Sequence, residues 1–327
     1  MSGLHPTARL DLDGQVTTMA EAAAYRIRVD LGVGDAHDAA EVHVTTDSPL
    51  VDAAPGAQLT IELGERDDLV EVITGDVTTV ATRVDSTVIT ALAPSYRLSH
   101  QRTGRAFVGD TAGDIAQSLL DLAEVDAGEV RAPQRLAIFH VDEGRSAWRH
   151  LRRLARLADC ETSSDASGGL NFRAAKSGTR GDHRLAYGAD LIAWSLATHG
   201  STAPYAAAPY GAASEAGNDK WFVVHKDPTG GAPDEPTRLP APIRDRDSAG
   251  EIGTGWSSRS ERAELGGHLL TLGRAAIRAG DLIELVDVDD SPLPTVVRAL
   301  EVQHRFDGHR GFTTAIRIGG PSSGGLP

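Results

Sequence analysis

His140-Val-Asp142-Glu143 is the densest cluster of titratable side chains in this sequence. An imidazole beside two carboxylates suggests zinc-assisted hydrolysis or general acid–base catalysis, and the spacing tests both. A zinc-protease pair needs two histidines one helical turn apart, and the residue four places after His140 is Gly144. Carboxylates adjacent in sequence seldom face one site, so a glycosidase pair lacks its geometry. Asp142 and Glu143 read instead as loop acids, with Glu143 favoured near the positive end of the helix that follows. His183, His199, His225, His268, His304 and His309 are scattered and meet only if the fold brings them together. Cys160 is the one cysteine, which excludes an intramolecular disulfide and a cysteine-based metal cluster. It falls at a helix end before a strand with no poised base, the setting of a buried structural thiol. There is no Gly-x-x-x-x-Gly-Lys-Ser/Thr loop and no Gly-x-Ser-x-Gly elbow, and no helix directly follows Gly104-Arg-Ala-Phe-Val-Gly109. No catalytic residue, cofactor-binding residue or metal ligand is assigned, and the chain reads as a protein that is not an enzyme.

Arg149, Arg152, Arg153 and Arg156 recur on one side of a helical pattern and could grip an acidic partner or a phosphate. A solvated helix face is the plainer reading. Over the whole chain 32 basic residues stand against 46 acidic ones, a net charge of −14, which argues against a surface that coats nucleic acid. The acidic run from Asp287 to Asp290 is a solvated loop edge or, in a tube, a lining of the bore. Trp194, Trp221 and Trp256 could form a stacking platform for a sugar, or be buried. No basic, apolar leader and no run of about 18 apolar residues occurs, so the sequence predicts cytoplasmic maturation and no membrane span.

The elements that would position these residues are mostly strands. Residues 1–22 are polar and unpatterned, a flexible arm. Tyr25–Leu31 and Ala40–Thr46 alternate apolar and polar side chains, with His43 pointing outwards between Val42 and Val44. Leu59–Leu63, Glu71–Thr82 and Ser86–Leu92 complete a set of short strands spaced as in a barrel or sandwich, residues 23–97. After Pro94 the period changes. Thr111-Ala-Gly-Asp114 has the form of a capping box, with Ile115, Leu119 and Leu122 at helical spacing behind it. Leu136–Val141 is a short strand, Ser146 an N-cap, and Trp148, Leu151, Leu154 and Leu157 one apolar stripe. Glu161–Ser163 and Leu170–Arg173 form a hairpin, closing an α+β domain over 98–176. Residues 177–320 make a second β-module whose stretch from about 200 to 260 is rich in Pro, Gly and Ala and reads as long loops, with Lys220–His225 a strand between them. Periodicity leaves Glu261–Leu272 open between helix and strand, and 321–327 reads as a disordered tail.

The second β-module repeats the first. Gly56 and Gly280 each lead into a strand with aliphatic residues three and five places on, Leu59 and Ile61 in one, Ile283 and Leu285 in the other. Val80 and Val302, Arg83 and Arg305, Asp85 and Asp307 share one offset, and Thr87–Ala91 resumes as Thr313–Arg317 does. The hairpin tip Asp307-Gly308-His309-Arg310-Gly311 has glycines to turn it. The fold class expected is therefore mainly β with an α+β insertion: two related tube-like barrel or sandwich modules flanking a small α+β domain, with Leu59, Ile61, Ile283, Leu285, Phe306 and Phe312 in the core.

The order of these motifs, from the Gly-led strand through Phe139-His-Val-Asp-Glu-Gly-Arg-Ser-Ala-Trp148 to Ala279-Gly-Asp-Leu-Ile and Gly311-Phe-Thr-Thr, resembles the tail hubs of contractile injection machines. These are the late control protein D group of phages and the hub part of VgrG, and the likeness covers roughly residues 20–320. It implies a baseplate hub that is a homotrimer, in which three chains present six quasi-equivalent β-modules. Such a trimer joins a hexameric inner tube protein to a trimeric spike protein, beside other baseplate proteins, in a phage tail-like particle assembled in a bacterium. It also implies a helix before the final strands and, since the sequence stops short of a fused spike, a separate spike chain. Two other readings stand beside it: a carbohydrate-binding β-sandwich, and a hub-associated cell-wall hydrolase.

Overall fold

The computed structural model describes residues 6–34, 36–65, 68–199, 246–288, 294–308 and 311–321, and the backbone alone of 207–209, 212–214, 221–223, 237–239 and 246–251. Alternation in β3 (Ala24–Gly32) turns Ile27, Val29 and Leu31 inwards and leaves Arg26, Arg28 and Asp30 on the wet side. The same period-two logic runs through β4 (Ala39–Thr45), β5 (Gln58–Glu65), β6 (Asp68–Thr82) and β7 (Ser86–Leu92). These five hydrogen-bond in the order β3-β4-β7-β6-β5.

Near the C-terminus, β14 (Leu191–Thr198), β19 (Leu265–Leu272), β20 (Leu282–Val286), β21 (Val296–Asp307) and β22 (Gly311–Gly319) pair as β14-β19-β22-β21-β20, the same order. The repetition extends to register. β6 bulges between Val77 and Thr79 and β21 between Ala299 and Glu301, both 222 residues on. β3 bulges between Ala24 and Arg26 and β14 between Leu191 and Ala193, both 167 residues on. Gly56 and Gly280 each adopt φ 95°, a region open to glycine, and each N–H donates to the carbonyl of the bulge residue, Val77 or Ala299, at 2.8 Å. In the last strand the ladders set Thr87 level with Thr314, one residue beyond the expected match with Thr313.

The two five-strand units form one continuous sheet because β3 pairs antiparallel with the second half of β21, from Arg26 opposite Asp307 to Gly32 opposite Glu301. One hydrophobic core serves both, and Leu59, Ile61, Ile283, Leu285, Phe306 and Phe312 are all buried in it. The outer flanks differ. β5 is covered by β1 (Pro6–Leu12), itself paired with β2 (Gln15–Thr18). The arm expected over 1–22 is thus strand from Pro6 to Thr18: Ala8 and Leu10 enter the core while Arg9 pairs with Glu62. β20 is covered by β13 (His183–Ala186), which runs parallel to it.

Between the two units lies a second hydrophobic core built on α2 (Ala112–Leu122) and α3 (Ala147–Leu157). It follows a short 3-10 turn and α1 (Arg97–His100), and includes β8 (Arg105–Phe107), β9 (Ala127–Arg131), β10 (Phe139–Val141), β11 (Cys160–Ser164) and β12 (Leu170–Ala174). The capping box forms in full, Thr111 accepting from the Asp114 N–H and Asp114 from the Thr111 N–H. Ser146 holds the N-cap position of α3 without a side-chain cap bond, and Glu143 lies ahead of the helix rather than in its first turn. The strand expected from Leu136 begins at Phe139.

The stretch from about 200 to 260, read as loops, contains β15 (Ala207–Pro209), β16 (Ala212–Ser214), β17 (Trp221–Val223), β18 (Thr237–Leu239) and the 18-residue helix α4 (Arg246–Ala263). The expected strand Lys220–His225 is present as β17, its ends lying outside the described residues. Glu261–Leu272 is both alternatives in turn, the end of α4 and then β19. Ile252 enters the second core and Trp256 Nε1–H donates to the Arg156 carbonyl at 3.0 Å, so α4 packs back on the α+β part. His309, Arg310 and the tail from 322 lie outside the described residues.

Candidate functional site

His140, Asp142 and Glu143 are all exposed, His140 on β10 and the two acids on the turn that follows it. The nearby imidazole is His150, fully buried on α3, whose Nε2 lies 3.0 Å from the Asp142 carbonyl and fastens the turn. Of the four arginines, Arg149 and Arg156 are exposed, while Arg153 lies over the Phe139 ring at 4.4 Å and donates to the His140 carbonyl at 3.0 Å. They therefore do not act as one cationic patch. Cys160 is buried, and burial pushes its thiol up to about 12, far from nucleophilic range.

The histidines do not gather. His304 is fully buried, bonded to Thr314 Oγ1 at 3.0 Å and the Ile277 carbonyl at 3.1 Å, and burial lowers its pKa to about 3. His183 sits elsewhere, 3.0 Å from Asp281, whereas His199 just past β14 and His268 on β19 are exposed. His225 lies outside the described residues, and among those described no group of three His, Cys, Asp or Glu could hold a metal. The tryptophans belong to different cores, Trp194 to the sheet and Trp256 to the α+β part, while the Trp221 side chain lies outside the description. This separates two of the three rings that a sugar platform would need.

What the sheet does build is a charged face and, among the described residues, several unpartnered edges, two of which are equivalent to the joint between the units. Across the joint between the two units, Arg26 meets Asp307 at 3.3 Å and Gln303 bonds Asp30, while beside it Arg28 meets Asp30 along β3 at 2.7 Å and Arg317 of β22 meets Glu301 of β21 at 2.6 Å. Opposite charges thus alternate over neighbouring strands, which suits a wet surface but adds little stability, each exposed pair contributing about 0–1 kcal/mol. One edge is β14, bonded on one side only among the described residues. The other is the second half of β6, which β5 leaves uncovered after Val77. Thr79, Ala81 and Thr82 are exposed there, and Val84 at the hairpin tip is fully exposed.

Buried ions tie the α+β part to this sheet. Arg298 of β21, almost wholly buried, makes two hydrogen bonds to Glu161 of β11. Asp76 of β6 accepts from Arg97 of α1 at 2.6 Å. Arg278 donates to the carbonyls of Val72 and Ser164 at 2.9 and 3.2 Å. Asp38 is buried beside them and accepts from the Gly32 N–H at 2.8 Å; burial raises its pKa to about 6. In the second unit Asp281 receives Lys176 at 2.8 Å and His183 at 3.0 Å. Burial opposes its ionisation, but these bonds and the Arg278 N–H prevail and hold it at about 2. A sequence signal did exist for one pair, since Asp76 and Arg298 stand 222 residues apart like the other equivalent positions.

No family model and no curated protein matches this chain. Solved structures do. The 43 kDa tail protein of prophage MuSo2 from Shewanella oneidensis superposes with a TM-score of 0.69 at 15% identity, over 97% of this chain and 99% of that one. The tail protein from Neisseria meningitidis MC58 gives 0.72 at 12% identity, over 96% of both chains. The E. coli c3393 protein, a type VI secretion component described as similar to T4 bacteriophage tail proteins gp27 and gp5, gives 0.62 at 10%, over 96% of this chain and 77% of that one. Among described residues, no helix is long and apolar enough to cross a membrane. The chain shares its fold with phage tail proteins and with a tail-like component of a type VI secretion system.

Proposed function

We propose that this chain is a structural hub of a contractile, phage tail-like particle, a trimer that fits a hexameric inner tube on one side and a trimeric spike on the other. The observation that carries this reading is the duplication: two five-strand units with the same strand order, the same two bulges and the same glycine-led entry. A chain with two copies of one unit lets three subunits imitate six, which is what joining three-fold to six-fold symmetry requires. The fold shared with tail proteins supports the same reading. Residues 23–97 and 177–320 supply the two units, residues 98–176 brace them, and the work done is mechanical, with no catalytic residue and no cofactor. The partners are the tube protein, the spike protein and further baseplate proteins, with assembly in the bacterial cytoplasm. Mixing the purified chain with the tube and spike proteins of the same particle tests this: a complex of three hubs per tube hexamer and per spike trimer is expected. Failure to bind either one would overturn the reading.

A further inference from the structure

A cleft of about 300 Å³ opens where the α+β part meets the loop that follows β3, with walls from α3, β11 and α4. α3 carries four arginines, one histidine and no acid between Ala147 and Leu157, in a chain of net charge −14. Arg152 and Arg156 stand four residues apart on one face of that helix, and both line the cleft. A tryptophan sets the opposite wall. Trp256 Nε1–H donates to the Arg156 carbonyl at 3.0 Å and fixes α4 against the end of α3. Arg259, three residues on along the same face of α4, is thereby brought to the cleft, where it donates to the Cys160 carbonyl at 3.4 Å. The loop closes the third side, the Gly34 N–H donating to the Thr162 carbonyl at 2.9 Å.

Charge in this lining is one-sided. Against its three guanidiniums stands one carboxylate, Glu161, and both oxygens of that group are held by Arg298. Asp159, the residue before Cys160, is shared between Arg259 and Arg262 at 3.2 and 3.1 Å. Cys160 adds no negative charge, since burial keeps it a thiol. Helix dipoles favour cations in a last turn, which accounts for Arg156 on α3 and Arg262 on α4. They do not account for Arg152 and Arg259 meeting Arg156 at one cleft. We propose that this cleft binds the phosphoryl group of inorganic phosphate or of a small phosphomonoester, held by Arg152, Arg156 and Arg259. One guanidinium fork is enough for a carboxylate. Three forks from two helices suit a dianion with three or more acceptor oxygens. No aromatic ring lines the cleft among the described residues, so a nucleotide base finds nothing to stack on. The site does not depend on the hub assembly, because all three arginines come from one chain.

Calorimetric titration of the full chain with inorganic phosphate and with glycerol 3-phosphate, at fixed ionic strength, tests the site. Saturable binding of at least one probe, at one site per chain, is expected. Tighter binding of the ester assigns the cleft to a carried phosphoryl group, and equal or weaker binding assigns it to the free ion. Arg156→Gln, at an exposed position, should weaken binding about tenfold, as for a lost charge-assisted hydrogen bond, and leave unfolding without ligand unchanged. Arg149→Gln, exposed on the same helix but outside the cleft, should leave the affinity unchanged. Absence of saturable binding by both probes overturns the proposal. Equal affinities in the two variants, whether both weakened or both unchanged, overturn it as well, since they reveal attraction to a basic helix rather than a built site.

Discussion

The two halves of this sheet share a backbone and differ in what they do with it. At the position just before the bulge, the N-terminal unit places Asp76 and the C-terminal unit Arg298. Each is buried and each reaches into the α+β part, Asp76 to Arg97 and Arg298 to Glu161. One geometric slot thus serves the same purpose with opposite charge. The slot is set by the bulge, which aims a side chain out of the sheet, and the partner's charge decides which residue fills it. A second difference lies at the first strand of each unit. β3 is covered by β21, whereas its twin β14 bonds a strand on one side only among the described residues.

Variants that break the equivalence should act unequally, and the largest effect is expected at Arg298. Arg298→Met removes a guanidinium that is almost wholly buried and leaves Glu161 without its partner, a loss of about 3 kcal/mol in unfolding free energy. Asp76→Asn, at the twin position, leaves the more exposed Arg97 able to turn to water, and about 1 kcal/mol is expected. Denaturant titration of both variants measures the ratio, and equal losses would show that burial of the partner is not what separates the two slots.

Asp281 tests a feature found in one unit alone, because its twin is Ala57. Its folded pKa of about 2 lies below the unfolded value of 3.8, so its contribution is complete above the unfolded value and fades as pH falls towards 2. Asp281→Asn should cost about 2 kcal/mol at pH 7, and the gap to the parent chain should close as the pH drops below about 4. A gap that stays constant down to pH 2 would assign the loss to packing instead.

Gly56→Ala and Gly280→Ala sharpen the comparison from the opposite side. Both glycines have φ 95°, and an added Cβ meets nothing within 4 Å at Gly56 and only side-chain atoms at 3.6 Å or more at Gly280. Backbone strain alone is at issue, so both variants should lose about 1–2 kcal/mol, equal within error. The smallest effect is expected of Val84→Ala, which should leave the unfolding of the isolated chain unchanged because that side chain touches nothing in its own subunit.

Much of the architecture was legible in the residues themselves. The alternation of Ile27, Val29 and Leu31, the capping box at Thr111 and the pairing of Gly56 with Gly280 all follow from local physics and reappear in the structure. Pro6–Thr18 was missed because the strands there are short and rich in Thr, Asp and Gln, although Ala8, Leu10 and Leu12 do alternate with Arg9 and Asp11. The one-residue slip at Thr87 arose because a run of Thr and Val fits two registers, and only the ladder to β6 chooses between them. Helix α4 was hidden by its Gly and Ser content, and tertiary packing of Ile252 and Trp256 holds it where propensity does not. The pairing of β3 with β21 joins residues about 280 apart, and no local pattern encodes it.

The mass of the purified chain in solution, measured alone and with its tube and spike partners, tests the central claim most directly. A species of three times 34.4 kDa, formed alone or on adding either partner, is what a hub with two repeated units predicts. A monomer that stays at 34.4 kDa in the presence of both would contradict it.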